Sequence, residues 1–369
     1  MPMQVKKTLL LFAAVGIASI CGYAFIHRDM PPPTLTVEEK KVTDALFNQI
    51  KPQCIGRYVF DVPESYVNEQ KNYVFLNDFR INSQRLYRPA FEQRIRLREQ
   101  ALKNERTVAS IDGPFLKQVY RLSDNAIIFD RNENGSTAGW GRILEGHIYV
   151  GGVAFIVQTE ITDYSDERYA SEREFYLRPE VGRPVAKANT KPQKLAEMQD
   201  LLSRLSGRKD DEIPTQPGIC IADGFIRDNS KQNKEDLSFA YRNDNFGFYV
   251  STDNTLGKSN SLLERGDEIE PALREGNIHT IYKRKRNIAG MDAEDWLVRG
   301  KQVTYQPEAE NILYSFTFYA NEKAADYHHP VLFAKLSNRG IGTTTYSDAQ
   351  LVDIWDRITQ TFRFRPGAF

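Results

Sequence analysis

This chain opens twice in the same way, and that repetition narrows its possible folds more than any other feature. Cys54-Ile55 begins one strand-like segment that leads to Asp61, and Cys220-Ile221 begins another that leads to Asp228. An amphipathic helix closes each half, roughly 140 residues after the first opening and roughly 130 after the second. Between the two helices Leu195/Leu351, Glu197/Asp353, Met198/Ile354, Asp200/Asp356 and Leu202/Ile358 align. Self-similarity at one long period means that a structural unit is used more than once. With 369 residues the chain has room for two units of ordinary size, each burying its own core. The expected fold is α+β: two related domains, each a mainly antiparallel sheet with helices packed on it, after an N-terminal apolar anchor. The expected divisions are 1–33 for the anchor and its spacer, 34–212 for the first domain and 213–369 for the second.

Local patterning fills in the halves. Val37, Val42, Leu46 and Ile50 lie near one helical face, so Thr36–Ile50 reads as a short helix. Tyr58, Phe60 and Val62 alternate as in a half-buried strand. Asn72–Ile81, Phe115–Leu122, Ala126–Asp130, Trp140–Val150 and Val153–Ile161 read as further strands, and charge-rich Phe91–Arg106 as a helix. The polar stretch Arg208–Gly218 reads as a linker. Strands are expected again at Leu237–Tyr241, Phe246–Ser251, Ile278–Arg284, Ala293–Arg299, Asn311–Tyr319 and Val331–Leu336. Ser347 stands three residues before Gln350, the capping-box spacing of a helix start.

The N-terminus breaks from this pattern. Lys6 and Lys7 precede the uncharged run Leu9–Ile26, and Pro31-Pro32-Pro33 follows it. A run of about 18 apolar residues reaches the roughly 17–25 of a membrane-spanning helix and exceeds the roughly 7–15 of a signal-peptide core. Ala18-Ser19-Ile20 is a poor cleavage site, so an uncleaved inner-membrane anchor is favoured over a cleaved signal peptide. Acylation at Cys21 is disfavoured by the bulky Ile20 before it. The lysine pair keeps the N-terminus in the cytoplasm and exports the rest, to the periplasm in a Gram-negative cell. The prolines form a stiff spacer.

In an exported body, Cys54 and Cys220 acquire a further meaning. If two related domains pack about a pseudo-twofold axis, equivalent residues can meet on it. In an oxidising compartment such a pair becomes a disulfide; two buried free thiols are the alternative.

Most chemistry is excluded. Forty-nine basic against 49 acidic residues leave no net charge to drive nucleic-acid binding. There is no G-x-S-x-G, H-E-x-x-H, C-x-x-C or phosphate-binding P-loop. His328-His329 follows Asp326, but neighbouring side chains on a strand point to opposite faces and rarely share a metal. His147 and His279 sit in strand-like runs as ordinary half-buried residues. Asp292, Glu294 and Asp295 read as an acidic turn before a strand, and Arg284-Lys285-Arg286 as a solvated hairpin end. No catalytic, cofactor-binding or metal site is expected.

Three motifs carry a resemblance: C-I-G-R-Y-x-F-D-V-P at Cys54–Pro63, P-G-x-C-x-x-D-G-F-I at Pro217–Ile226, and W-D-x-I-x-x-x-F-R-x-R-P-G at Trp355–Gly367. Together they resemble the two-domain immunity proteins that protect a bacterium from its own type VI secretion phospholipase. The resemblance spans everything after the apolar run. It implies a periplasmic, non-enzymatic protein that binds a lipase toxin and blocks access of its substrate, with an α+β fold in both halves and no cofactor. It carries over no toxin-contacting residue, because the motifs lie on scaffold elements. A periplasmic enzyme with an unrecognised site and an anchored structural component of the envelope are the alternative readings.

Overall fold

The computed structural model describes residues 31–69, 72–301 and 312–369, so the apolar run Leu9–Ile26 lies outside the described residues. Helix α1 (Val37–Leu46) starts at a capping box in which the Thr36 hydroxyl accepts from Glu39 N and the Glu39 carboxylate accepts from Thr36 N. A hairpin of β1 (Ile50–Ile55) and β2 (Tyr58–Pro63) leads to β3 (Val67–Asn68), β4 (Tyr73–Leu76), β5 (Phe79–Arg85) and helix α2 (Arg88–Asn104). A meander follows through β6 (Leu116–Ser123), β7 (Ala126–Asn132), β8 (Gly141–Val150) and β9 (Val153–Thr162). Short α3 (Ala170–Tyr176), long α4 (Lys191–Arg204) and β10 (Leu205–Gly207) end the first half.

The second half opens on the hairpin β11 (Gly218–Ile221) and β12 (Gly224–Arg227), then β13 (Glu235–Arg242), β14 (Gly247–Asp253) and helix α5 (Gly266–Glu275). Its meander runs β15 (His279–Ile288), β16 (Met291–Lys301), β17 (Ile312–Ala320) and β18 (Val331–Ser337). Helix α6 (Asp348–Thr359), with the expected Ser347–Gln350 capping box, and β19 (Arg363–Phe364) close it.

The spatial order of strands is the same in both halves. It is β4-β5-β9-β8-β7-β6 in the first and β13-β14-β18-β17-β16-β15 in the second, with a helix after β5 and β14 and a closing helix after β9 and β18. The halves do not keep separate sheets, however. β4 pairs with β13 antiparallel, from Leu76 opposite Glu235 to Tyr73 opposite Ser238, and this makes one sheet of 13 strands. Two sheets would have left β4 and β13 as unpaired edges side by side; joining them satisfies both ladders.

The closing strands cross over. β10, at the end of the first half, pairs with β12, whereas β19, at the end of the second, pairs with β2. Each half thus completes the opening hairpin of the other.

Direct cross-strand partners share a face, which assigns the helices to sides. Phe91 stacks on Tyr149 and Arg98 reaches Glu145, so α2 lies on the face that carries Glu145, Gln158, Arg80, Phe75, Asp236 and Asp253 in register. Lys283 binds Glu270 and Arg265 lies over Tyr319, so α5 covers the same face at the other end. The opposite, inner face carries α4 and α6. Met198 of α4 sits so close to β8 that a Cβ at Gly146 would come within 2.9 Å of its sulfur. Trp355 of α6 donates to the buried Asp295 and packs edge-on to Phe316 and Phe248. The two hairpins fill the inner face between these helices.

Several expectations change. Asn72–Ile81 is not one strand but β4 and β5, split by a turn at Asn77, whose φ is +53°. β2 is buried on both sides, not half-buried, because Val59 packs with Cys54, Cys220 and Phe225 while Phe60 and Val62 join the main core. Arg284 and Arg286 are not a solvated hairpin end. Alternation turns both inward, where Asp295 accepts from Arg284 Nε at 3.1 Å and pairs with Arg286 Nε at 2.8 Å.

Candidate functional site

The junction of β4 with β13 has two faces of very different character. On the inner face Cys54 and Cys220 are bonded, with their Cα atoms 5.7 Å apart. Next to them Gly56 and Cys220 exchange two backbone hydrogen bonds of 2.8 Å each. Gly56 has φ +53°, and a Cβ there would come within 2.6 Å of Thr252 Cγ2, so the hairpin tip tolerates only glycine.

Arg57 follows with a fully buried side chain. It donates to Asp228 at 2.9 Å, to Glu235 at 2.6 Å, to the Tyr327 hydroxyl at 2.8 Å and to the Ala368 carbonyl. The rings of Tyr327 and Phe369 flank its guanidinium with centroids 4.9 and 4.6 Å away. One guanidinium serves two carboxylates, and the deeper one feels the shortage. Burial pushes Glu235 up to about 7, and Arg57 offsets only part of that cost.

Two more buried arginines hold the crossed closing strands. Arg208 donates to the carbonyls of Gly224 at 2.9 Å and Cys54 at 3.1 Å; Arg365 donates to those of Gly218 at 2.8 Å and Pro214 at 2.6 Å. Their backbone N–H groups make matching bonds, Arg208 to Asp223 and Arg365 to Arg57. Their partners are carbonyls, and burial lowers both arginines, Arg365 to about 10. The stretch from Arg208 read as a polar linker therefore begins with a structural residue, which also gathers the carbonyls of Lys209, Asp210 and Glu212 around its guanidinium.

Among the described residues no helix covers the outer face of the same junction between α2 and α5. Tyr73 stacks on Phe75 at 4.6 Å, and Tyr319 and Tyr249 lie 4.8 and 5.8 Å from Phe333. Tyr73 and Tyr249 are 45% and 37% exposed. Between them the strands carry Ser238, Ala240 and Ser251, which keep the floor low. Toward the first half the strip deepens into a cavity of about 810 Å³ whose walls include Phe75, Arg80, Ile143, Gln158 and Glu160. Exposed aromatic side chains are enriched in protein-docking surfaces.

Of the residues weighed for chemistry, Glu294 borders this strip as the register partner of Tyr319. His328 and His329 sit in a loop, where His329 Nδ1 is 2.9 Å from Asp326. His147 is buried against Glu145, and His279 is exposed. Asp292, Glu294 and Asp295 are not an acidic turn but part of β16: Glu294 accepts from Ser261 and from Leu263 N, and Asp292 is exposed opposite Asn287. Among the described residues no three His, Cys, Asp or Glu side chains gather as a metal site.

The architecture is that of type VI secretion immunity proteins. It superposes on the apo structure of the immunity protein TplEi from Pseudomonas aeruginosa with a TM-score of 0.67 and 18% identity, over 86% of this chain and 98% of that one. A crystal structure of a Tle4–Tli4 complex gives a TM-score of 0.66, again at 18% identity and the same coverage. No curated protein matches the chain. The models for the N-terminal and C-terminal domains of Tle cognate immunity protein 4 match residues 51–208 and 212–367. The chain belongs to that family: it is an immunity protein, not an enzyme.

Proposed function

We propose that this protein binds a Tle4-type lipase effector stoichiometrically in the periplasm and blocks its access to substrate, with the outer strip as the docking face. The observation that carries the reading is the family match over both halves. The related structure of a Tle4–Tli4 complex supports the choice of partner. The halves 34–212 and 213–369 act as two copies of one α+β unit, for which the shared strand order speaks. The Cys54–Cys220 bond and the crossed closing strands fix the angle between them, so the docking face is formed before the effector arrives. Leu9–Ile26 anchors the body in the inner membrane, where a lipase meets its substrate, and raises the effective concentration of the inhibitor.

Titration tests this. Adding the protein to a Tle4-type lipase from the same strain should bring hydrolysis to zero at a fixed molar ratio. Undiminished hydrolysis at large excess would overturn the reading. The intact mass of membrane-extracted protein should include the residues before Thr34 and no diacylglyceryl group.

A further inference from the structure

We propose that the effector presents a basic side chain, arginine by preference, to Asp236 and Asp253 on the outer strip; this rests on the reading that the strip is the docking face. The two aspartates are direct register partners on β13 and β14, on the same face of the sheet. Directly opposed residues stand about 4.5–5.5 Å apart at Cβ, and like charges in that position destabilise a sheet.

Elsewhere this sheet avoids the problem. Lys285 faces Glu294 in register and binds it at 3.2 Å, and Arg284 faces Asp295 and binds it at 3.1 Å. At Asp236 and Asp253 no lysine or arginine of the described residues completes an ion pair. Asp253 accepts from Thr255 N at 2.6 Å, a bond that leaves the like-charge opposition in place. Burial and the neighbouring Asp253 both raise Asp236 above the usual carboxylate range.

The surroundings suit an incoming cation. Phe75 and Val331 flank the carboxylates in the same row, and Tyr73, Ser238, Ser251 and Phe333 form the next. A guanidinium that enters there meets two carboxylates with its planar fork and aromatic faces alongside. A sheet that tolerates opposed carboxylates when free gains from that opposition when a cation of the partner relieves it.

The test compares Asp236→Asn, Asp253→Asn, the double variant and Tyr249→Ala in the full chain, by affinity for the Tle4-type lipase of the same strain. Each single Asn variant should bind about tenfold more weakly, with a shallower salt dependence, and the double variant weaker still. Thermal midpoints of the Asn variants should stay level or rise, an outcome that a structural role for the aspartates would not give. If the double variant binds like the parent while Tyr249→Ala does not, the strip docks the effector and the charge inference is wrong. If both bind like the parent, the docking face lies elsewhere. If the parent itself fails to inhibit the lipase, the proposed function falls first.

Discussion

On the inner face of the β4–β13 junction a covalent bond, three buried arginines and the crossed strands leave little polar surface to water. On the outer face of the same strands, opposed carboxylates and half-exposed rings face solvent. Alternation along a strand makes this possible, because neighbouring residues serve opposite faces. Glu235 takes a hydrogen bond from Arg57 within, and Asp236 stands without. Stability and recognition thus occupy adjacent residues without sharing side chains. Substitutions on the outer face can retune the partner while the inner face keeps the fold.

The largest expected effect tests whether the inner face depends on its covalent bond. Cys54 and Cys220 lie 166 residues apart in sequence, and the chain-entropy estimate for a loop of that length is about 5 kcal/mol. Cys54→Ser and Cys220→Ser should lower stability equally, by up to that amount, and the double variant no further. If only a tenth of the molecules then held the competent angle, effector affinity would fall about tenfold. An unchanged denaturation midpoint in Cys54→Ser would show that hydrogen bonds alone hold the inner face.

Arg57→Ala comes next. It strands the Glu235 carboxylate in the interior, and breaking a buried pair in this way costs about 3–5 kcal/mol. Arg57→Ala with Glu235→Gln should recover part of the loss, since the uncompensated charge is gone. Chemical denaturation decides; equal losses in the single and double variants would mean that packing against Tyr327 and Phe369, not charge, makes Arg57 necessary.

The same site sets a pH dependence. The folded-state pKa of Glu235, about 7, lies above the 4.5 of a free glutamate side chain. Between those values the folded state binds more protons than the unfolded one, so stability falls as pH rises. The contribution is complete below about 4.5 and lost as pH passes about 7, on the order of 3 kcal/mol in all. Glu145 runs the other way: despite burial, hydrogen bonds from Arg98 and His147 and the charge of Arg131 hold it well below the usual range, so its contribution fades as pH falls. Glu235→Gln should flatten the stability profile between pH 4.5 and 7 and leave the acid limb unchanged.

Much of the scaffold was legible in the sequence because it follows from local periodicity. The alternation of β9, the apolar run that opens β7 and the Ser347–Gln350 cap were readable residue by residue. Helix α5 was missed because Pro271 lies inside it. The turn at Asn77 was missed because Asn-Asp lacks the glycine that usually announces a hairpin. The crossed strands β10 and β19 are too short for any periodicity, and the joining of β4 to β13 is a long-range pairing that neither strand encodes alone. The outer strip was invisible for the same reason: Tyr73, Asp236, Tyr249 and Phe333 come from four separate strands.

The smallest effect is the one that most cleanly separates the two faces. Tyr249 projects from β14 on the outer side, against Phe333, while its neighbour Phe248 packs inward against Trp355. Tyr249→Ala removes a half-exposed ring and should change stability by no more than about 0.5 kcal/mol. If the strip docks the effector, the same ring is a natural anchor, and its loss should weaken binding by about 2 kcal/mol, roughly 30-fold. Phe248→Ala should do the reverse, lowering stability while the folded fraction keeps its affinity. Denaturation and binding measured on both variants give four numbers. A Tyr249→Ala protein that loses stability instead of affinity would mean that the outer rings belong to the fold, and the division of labour between the faces would not hold.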